Sequence, residues 1–306
     1  MIPTFPTFVP LTWNLKADIE KITLLHDPYS DHNFTGLFNY DISEFVQVSL
    51  LNDNLVVRSK EYLSQKPFLT FFGTTNVYPT IQTLLQYSKE QLNTSQLQLI
   101  PEATIHTLSP DEQKTLTIID DRDNYDYIFT IKEMIDLSGS GYRPKPNEIH
   151  TFHRKYPDHI VVHIDHTQST VKEEMRSLFD QWKHLQEKTD EESDVEYKAL
   201  CRFLDHADHP TIHTIGIRHE NRLIAFCMVE LLGAFVVAHF AKSNYEYRGI
   251  NTMLFHATAT QMYELGARYW NHQQDMGIVS MRHSKESWQP TRYLKKYTVS
   301  WNEVLT

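Results

Sequence analysis

Apolar positions in the second half of the chain recur first with the period of a helix and then with the patterns of strands. Residues 171–185 and 195–207 carry apolar side chains along one helical face. Residues 212–218, 223–230 and 234–241 are rich in Val, Ile and Phe and are separated by short turns. These features predict two helices followed by an antiparallel meander of three strands.

The rest of the second half continues this alternation of helices and strands. We predict a helix over residues 250–266, a short strand over 268–271, a helix over 287–296 and a closing strand over 297–301. The order of elements resembles the GNAT acyltransferase fold, in which two neighbouring strands splay apart and the gap holds the acyl donor. The likeness implies that the last strand of the meander and residues 268–271 form the splayed pair.

The first half repeats much of this order, although no obvious sequence repeat links the halves. A turn at Asn52-Asp53-Asn54 predicts a hairpin over residues 46–58. Further strands are expected at 67–73, 96–101 and 160–165, and helices at 79–90, 125–137 and 147–156. The predicted fold class is α+β, with two tandem GNAT-like acyltransferase domains, each a mixed, mostly antiparallel sheet flanked by helices. A boundary near residues 166–170 gives domains 1–167 and 168–306.

Charge is distributed unevenly along an acidic chain. The 39 acidic and 29 basic residues give a formal net charge of −10, which argues against non-specific binding to bulk nucleic acid. Residues 143–155 and 282–296 nevertheless contain several basic side chains, with Glu148 or Glu286 as the single acidic residue of each segment. Such segments suit a small anionic ligand better than a whole duplex. The alternative is that both are solvated helix faces.

The composition also bears on the cellular compartment. The two cysteines, Cys201 and Cys227, provide no disulfide framework and favour a reducing compartment. The N-terminus has no basic segment followed by an apolar core, so a signal peptide is not expected. No run of about 20 apolar residues predicts a transmembrane segment. We therefore expect a cytoplasmic protein.

Signatures of metal and nucleotide binding are missing from the sequence. Residues 205–213 are rich in Asp and His, but their spacing matches no zinc signature and no CxxC element accompanies them. The sequence contains no P-loop, nucleophile elbow or Rossmann fingerprint. We expect no bound metal and no tightly bound cofactor.

The first of three polar clusters spans residues 137–158 and reads LSGSGYRPKPNEIHTFHRKYPD. Its Gly-containing loop could present backbone N–H groups and Lys145 to an anion at the start of a helix that begins near Asn147. The alternative is a surface loop followed by an ordinary helix N-cap at Asn147.

The second cluster, NHQQDMG at residues 271–277, follows the predicted short strand. Functional side chains often lie in such loops. Asp275 is a candidate general base or a candidate ligand for a cationic amine. The alternative is a polar turn.

The third cluster, KESWQPTRYLKKY at residues 285–297, interleaves aromatic and basic side chains. This combination can stack on a base and neutralise phosphates. The alternative is an amphipathic helix whose Trp288, Tyr293 and Leu294 side chains face a core.

In this order, the three clusters resemble the C-terminal domain of phosphatidylglycerol lysyltransferases. The resemblance covers roughly residues 125–297, and the pairing of domains is similar to that of the Fem peptidyltransferases. The lysyltransferases move an aminoacyl group from aminoacyl-tRNA to a lipid headgroup, which implies a tRNA acceptor end as a partner. The resemblance also implies donor-binding roles for Lys145, Asn147, Arg154, Lys285 and Arg292, and contact with the incoming amine or hydroxyl for Asp275.

One segment departs from the GNAT pattern. GNAT enzymes bind acetyl-CoA with a loop of the form Arg/Gln-x-x-Gly-x-Gly/Ala, whereas residues 247–251 read YRGIN and contain one Gly. Successive backbone amides cradle a pyrophosphate less well without the second Gly. CoA is therefore disfavoured as the donor, although Arg248 remains a candidate donor-binding residue.

Acyl transfer requires a proton acceptor, an acid for the leaving oxygen and a donor for the developing oxyanion. Asp275 or His239 could accept the proton, Tyr293 could protonate the leaving oxygen, and backbone N–H groups of a splayed strand suit the oxyanion. Three hypotheses stay open. The favoured one is an aminoacyl-tRNA-dependent transferase with a small-molecule, lipid-headgroup or peptide acceptor. The alternatives are an acyl-CoA-dependent N-acyltransferase and a non-catalytic binding protein on the same fold.

Overall fold

The computed structural model describes residues 1–60, 65–166, 168–186 and 190–302. The chain forms two compact units, and both halves of the sequence contribute to each unit. Unit 1 consists of Met1–Asp126, Gln274–Ile278 and Tyr293–Thr306, and unit 2 consists of Tyr127–Gln273 and Val279–Arg292. The polypeptide therefore passes from one unit to the other more than once.

Strands in the described residues form three sheets. In chain order the strands are β1 (Val9–Pro10), β2 (Gln47–Leu51), β3 (Asn54–Lys60), β4 (Pro67–Phe72), β5 (Gln96–Pro101), β6 (Leu116–Asp120), β7 (Asp126–Thr130), β8 (Ile160–His163), β9 (Ile212–His219), β10 (Arg222–Leu232), β11 (Phe235–Ser243), β12 (Tyr269–Asn271), β13 (Arg292–Leu294) and β14 (Lys296–Trp301). The sheets have the orders β1-β2-β3-β4, β5-β14-β6 and β13-β7-β12-β11-β10-β9-β8. β11 and β12 pair in parallel, whereas the other described pairings of these strands are antiparallel.

Helices connect these strands. In chain order they are α1 (Lys16–Thr23), α2 (Phe34–Tyr40), α3 (Val77–Tyr87), α4 (Glu102–Ile105), α5 (Pro110–Lys114), α6 (Ile131–Asp136), α7 (Pro144–Lys155), α8 (Ser169–Leu185), α9 (Asp190–Asp205), α10 (Ile250–Glu264) and α11 (Val279–Glu286). Within the described ranges, no helix has both the length and the apolar composition that crossing a bilayer requires.

In unit 1, the predicted hairpin is present as β2 and β3. Asn52 and Asp53 connect these strands in left-handed conformations, with φ of 52° and 62°, the geometry that a two-residue hairpin turn favours. The core beneath it contains buried side chains from β3, β4, α3, β5 and β14, among them Val56, Phe71, Leu84, Leu97 and Val299. Strand β14, at the C-terminal end of the chain, thus packs into the unit formed mainly by the first half.

In unit 2, the predicted meander is present as β9, β10 and β11, followed by α10 and the parallel strand β12. Glu220 and Asn221 turn between β9 and β10 with positive φ, and Gly233 does so between β10 and β11. Helix α8 buries most of its predicted apolar face, which comprises Val171, Met175, Leu178, Phe179 and Trp182. The prediction was wrong for Leu185, the last residue of the helix, which is 40% exposed. These features confirm the predicted α+β fold class with its GNAT-like order of elements.

The helix predicted over residues 125–137 is wrong. Its first part forms strand β7, whose residues 126–129 are all buried, and only its second part forms helix α6. A short, fully buried apolar run has no periodicity that separates a strand from a helix.

The helix predicted over residues 287–296 is also wrong, because α11 ends at Glu286 and strand β13 follows. Pro290 disfavours a helical conformation in the preceding residue, and Gln289 has a φ of 54°. The backbone N–H of Thr291 donates to Ile128 O at 2.8 Å. This hydrogen bond is typical of strand pairing, and inside a helix the same N–H would instead donate to a carbonyl of the preceding turn.

The predicted boundary between residues 167 and 168 lies inside unit 2, and Thr167 itself lies outside the described residues. Strand β8, just before this position, pairs with β9, just after it. The compact units therefore divide the chain differently from the predicted repeats, and the repeat boundary stays a prediction.

Candidate active site

The predicted splayed pair in unit 2, β11 and β12, shares only three paired positions. Phe235, Val236 and Val237 pair with residues 269–271, after which β12 ends and β11 continues to Ser243. The side-chain amide of Gln273 donates to Ala238 O at 2.7 Å, directly beyond the last paired position. Pairing therefore stops where the GNAT-like order places an acyl donor.

A β-bulge on β11 places His239. Met228 pairs with Phe240 and Val229 pairs with Ala238, so His239 is the extra residue between them. Bulges commonly re-aim a side chain next to active sites. His239 Nε2 lies 3.5 Å from Glu230 Oε2, and both side chains are buried. The neighbouring Thr211 donates to Glu230 Oε1 at 3.3 Å, so the arrangement is a buried carboxylate–imidazole pair.

The first and third polar clusters meet in unit 2. Lys145 Nζ donates to Ser287 Oγ at 3.1 Å and lies 3.9 Å from the centre of the Trp288 ring. The Tyr142 hydroxyl donates to Trp288 O at 2.7 Å. We call these four residues the Lys145–Trp288 junction. The fold thus joins two basic segments that are separated by more than a hundred residues in the sequence.

Lys145 is buried within this junction, with 7% of its surface exposed. Burial lowers the pKa of its ammonium to about 8, although the nearby Glu148 carboxylate acts in the opposite direction. Burial has this effect because it disfavours the charged form of an amine. Lys145 is therefore an amine whose pKa, at about 8, lies well below that of an exposed lysine.

Lys285 is also buried, and its ammonium donates to the backbone oxygens of His272 and Gln273. These contacts anchor the chain immediately after β12. Burial, followed by the charge of Lys285, holds the pKa of His272 well below its usual range. The predicted donor ligand Lys285 thus supports the end of a strand.

The remaining predicted donor-binding residues are exposed. The Arg292 guanidinium lies 5.8 Å from the Phe235 ring centre and 5.9 Å from that of Tyr269, and the side chain remains accessible. The other accessible polar side chains of this group in unit 2 are Asn147, Arg154 and Arg248. Exposed guanidinium groups are suited to phosphates, which they bind with a planar fork of donors.

Helix α7 covers the start of α10, where the GNAT loop for acetyl-CoA would lie. Gly249 precedes α10 with a φ of +87°, and a Cβ atom there would lie 2.6 Å from Glu148 O. The N–H of Arg248 donates to the Tyr156 hydroxyl at 3.3 Å, and Thr252 donates to the Glu148 carboxylate. Contacts within the protein thus occupy this helix start.

In unit 1, Asp275 and Tyr293 meet through Arg122. Asp275 is fully buried and accepts a hydrogen bond of 2.8 Å from the N–H of Gly277. Its Oδ2 lies 3.4 Å from Arg122 Nη1, and the guanidinium lies 4.9 Å from the Tyr293 ring centre. Arg122 was not predicted as a site residue, because it lies in the charged run Asp120-Asp121-Arg122-Asp123, which is typical of a surface turn.

A second buried cluster lies next to Asp275 in unit 1. Lys296 Nζ contacts Asp126 Oδ1 at 2.8 Å, Gln274 Oε1 at 2.9 Å and Ser30 Oγ at 3.0 Å, and it also pairs with Asp31. Burial alone would lower the pKa of Lys296, but the two carboxylates outweigh it and raise the pKa. The cluster holds Gln274, the residue before Asp275, and none of its members was predicted as a site residue.

The predicted site residues are thus distributed over both units. Asp275 and Tyr293 belong to unit 1, where Arg122 contacts both. His239 and the predicted donor-binding residues belong to unit 2, where Lys145 contacts the third cluster. Within the described residues, no group of three or more His, Cys, Asp or Glu side chains is arranged to hold a metal ion.

The order of elements, the bulged strand and the short parallel pair define a protein of the GNAT-like acyltransferase class. The chain belongs to the family of phosphatidylglycerol lysyltransferase C-terminal domains, whose family model matches residues 23–300. The resemblance stated from the sequence is therefore confirmed. No curated protein matches the chain.

Solved structures share the fold at low sequence identity. A conserved protein of unknown function from Bacteroides thetaiotaomicron is 20% identical, with a TM-score of 0.85 over 99% of this chain and 100% of that chain. The C-terminal domain of a proposed lysylphosphatidylglycerol synthetase from Agrobacterium fabrum is 11% identical, with a TM-score of 0.65 over 94% and 93%. FemX is 9% identical, with a TM-score of 0.61 over 98% of both chains. The family and fold together support an acyl- or aminoacyltransferase.

Proposed function

We propose that this protein is an aminoacyltransferase that takes its acyl group from aminoacyl-tRNA and transfers it to a small molecule, a lipid headgroup or a peptide. Membership of a family named for lysyl transfer to phosphatidylglycerol supports this proposal. The fold also resembles that of FemX over nearly the whole chain. In this proposal no cofactor is bound tightly, and the donor is a co-substrate in the cytoplasm.

The observation that carries the choice of donor is the covered start of α10. A CoA pyrophosphate needs several free N–H groups and close backbone approach at such a helix start. Here the Arg248 N–H is bonded to Tyr156, and Gly249 lies against the carbonyl of Glu148. These contacts disfavour acyl-CoA and favour a donor whose phosphates are bound elsewhere.

The donor phosphates are proposed to contact the basic side chains of unit 2. Arg154, Arg248 and Arg292 are exposed and can form bidentate contacts. Asn147 and Lys145, in the first turn of α7, add a polar group and an ammonium next to the positive end of the helix dipole. Lys285, which is bonded to two carbonyl oxygens, is proposed to orient the end of β12.

Proton transfer is proposed to involve His239 of unit 2. Its imidazole, aimed by the bulge and paired with Glu230, is suited to accept the proton of the incoming nucleophile. Within unit 1, Asp275 is proposed to hold Arg122 against the Tyr293 ring.

The test is a transfer assay with the purified chain and a pool of radiolabelled aminoacyl-tRNAs. Phosphatidylglycerol vesicles, free amino acids and a peptidoglycan-precursor peptide serve as alternative acceptors. We expect label to move from tRNA to one acceptor class, and an Arg292→Gln variant to lower this transfer at least about tenfold, a loss of about 1.4 kcal/mol of transition-state binding.

The matched control is Lys132→Gln, which removes an exposed cation of unit 2 that pairs with Asp136 on its own helix. This variant should transfer at the normal rate. Transfer from acyl-CoA instead of aminoacyl-tRNA would replace the proposal with the N-acyltransferase. Binding of tRNA without transfer to any acceptor would replace it with a non-catalytic binding protein.

A further inference from the structure

Lys145 differs from other buried lysines in how its charge is compensated. Lys16 pairs with Glu20, Lys242 pairs with Glu196, and Lys296 pairs with two aspartates. Lys285 donates to two backbone oxygens. Among the described residues, Lys145 makes no ion pair: its ammonium contacts the Ser287 hydroxyl and the Trp288 ring. A hydroxyl and an aromatic face compensate an ammonium only in part.

The charged groups around Lys145 do not complete the compensation of its ammonium charge. On its own helix, the Glu148 carboxylate lies close enough to favour the ammonium, yet burial has the larger effect, and Glu148 is also bonded to Thr252. On the facing segment, Lys285 directs its ammonium to two backbone oxygens, while Glu286 is exposed. The first turn of α7 adds the positive end of a helix dipole, which disfavours a cation and favours an anion.

We propose that Lys145 takes up a proton when a phosphate-bearing ligand binds beside it, so that donor binding in the proposed function weakens as the pH rises above neutrality. An anion next to the amine would supply the missing opposite charge and stabilise the ammonium. Proton binding and anion binding are then linked, and each must strengthen the other by the same factor. The inference rests on the proposed donor site, but the linkage itself is measured without turnover.

The experiment is isothermal titration of the full chain with inorganic pyrophosphate, followed by a tRNA acceptor-stem minihelix, in two buffers of different ionisation enthalpy. At about pH 8.5 the free amine is mostly neutral and the bound amine charged, so we expect uptake of about 0.7 proton per site. At about pH 6.5 the uptake should equal that of Lys145→Arg, because Lys145 is already protonated in the free protein.

Two variants separate Lys145 from other groups. Lys145→Arg keeps a permanent charge. The protons exchanged when it binds pyrophosphate come only from pyrophosphate and other groups, so this variant is the baseline from which uptake by Lys145 is counted at each pH. Lys132→Arg, an exposed control on α6, should behave as the unmodified chain does. Because the main measurement uses the unmodified protein, a variant that fails to fold does not remove the test.

The possible outcomes are distinct. The inference is overturned if pyrophosphate does not bind, or if the unmodified chain takes up no more protons than Lys145→Arg does at about pH 8.5. None of these results contradicts the proposed function, which the transfer assay tests separately. Conversely, transfer from acyl-CoA would overturn the proposed function, even where proton uptake with pyrophosphate is measured as expected.

Discussion

Lys296 and Asp126 form an ion pair of 2.8 Å in which both side chains are completely buried. Ser30 and Gln274 complete the hydrogen bonding around the ammonium, and Asp31 supplies a second carboxylate. The pair connects the C-terminal strand β14 to the start of β7 and to the residue before Asp275. A buried, fully bonded charge of this kind has a large effect when one partner is removed.

We therefore expect Lys296→Met to destabilise the protein by about 3–5 kcal/mol, because the buried Asp126 and the partly buried Asp31 would keep their charges without a cation. Urea unfolding followed by circular dichroism measures this loss. The double variant Lys296→Met, Asp126→Asn should recover part of the stability, because it removes one of the stranded charges. A single variant within about 0.5 kcal/mol of the unmodified chain would contradict the buried pair.

Gly249→Ala tests whether α7 covers the start of α10. The alanine Cβ would meet Glu148 O at 2.6 Å while the backbone stays at a φ of +87°. The control is Gly233→Ala, which has a φ of +59° and no atom within 4 Å of the new Cβ. Backbone strain should cost both variants about 1–2 kcal/mol, and the contact should cost Gly249→Ala at least about 1 kcal/mol more in urea unfolding. Equal losses would mean that α7 and α10 do not approach each other there.

Asp275→Asn tests the link between Asp275, Arg122 and Tyr293. The amide keeps the shape and can still accept the hydrogen bond from Gly277 N, but it loses the charge that faces Arg122. We expect transfer to fall at least about tenfold, while circular dichroism shows a folded chain. Asp111→Asn, at an exposed aspartate that pairs with Lys114, is the control and should transfer normally. Full turnover in Asp275→Asn would remove this carboxylate from the site.

Acid stability should depend on buried neutral histidines. Burial and the charge of Lys296 lower the pKa of His32 to about 3, and burial is the largest cause that lowers the pKa of His166 to about 4. The usual pKa of a histidine side chain is 6.5. As the pH falls below about 6.5, these two histidines become protonated in the unfolded chain but stay neutral in the native chain. The stability that is present above that pH is therefore lost.

Urea unfolding at about pH 7 and about pH 5 measures this effect, which reaches at most about 1.4 kcal/mol per pH unit for each such histidine. His32→Gln removes one titrating group and should show a shallower loss of stability between the two pH values. An unchanged dependence on pH in this variant would show that His32 is not held neutral in the native state.

Local patterns in the sequence were sufficient for most elements of unit 2. The helical spacing of residues 171–185 and the β-branched runs of the meander correspond to α8 and β9–β11, because each pattern reflects one face buried against a neighbour. Local information failed at β7 and β13. The apolar run of β7 is continuous, so it has no periodicity that separates a strand from a helix. Strand β13 forms because it pairs with β7, which lies far away in the sequence.

The candidate site shows the same division. Three polar clusters could be found in the sequence because Gly, Pro, basic and aromatic residues are grouped there. Only the folded chain brought Lys145 to Trp288, Arg122 to Asp275, and Lys296 to Asp126. These contacts join residues more than a hundred positions apart, and burial and opposite charge at such separations leave no local pattern. The sequence by itself thus determined the class of fold and its polar segments, while tertiary packing decided which charges are compensated and which amine is left to titrate.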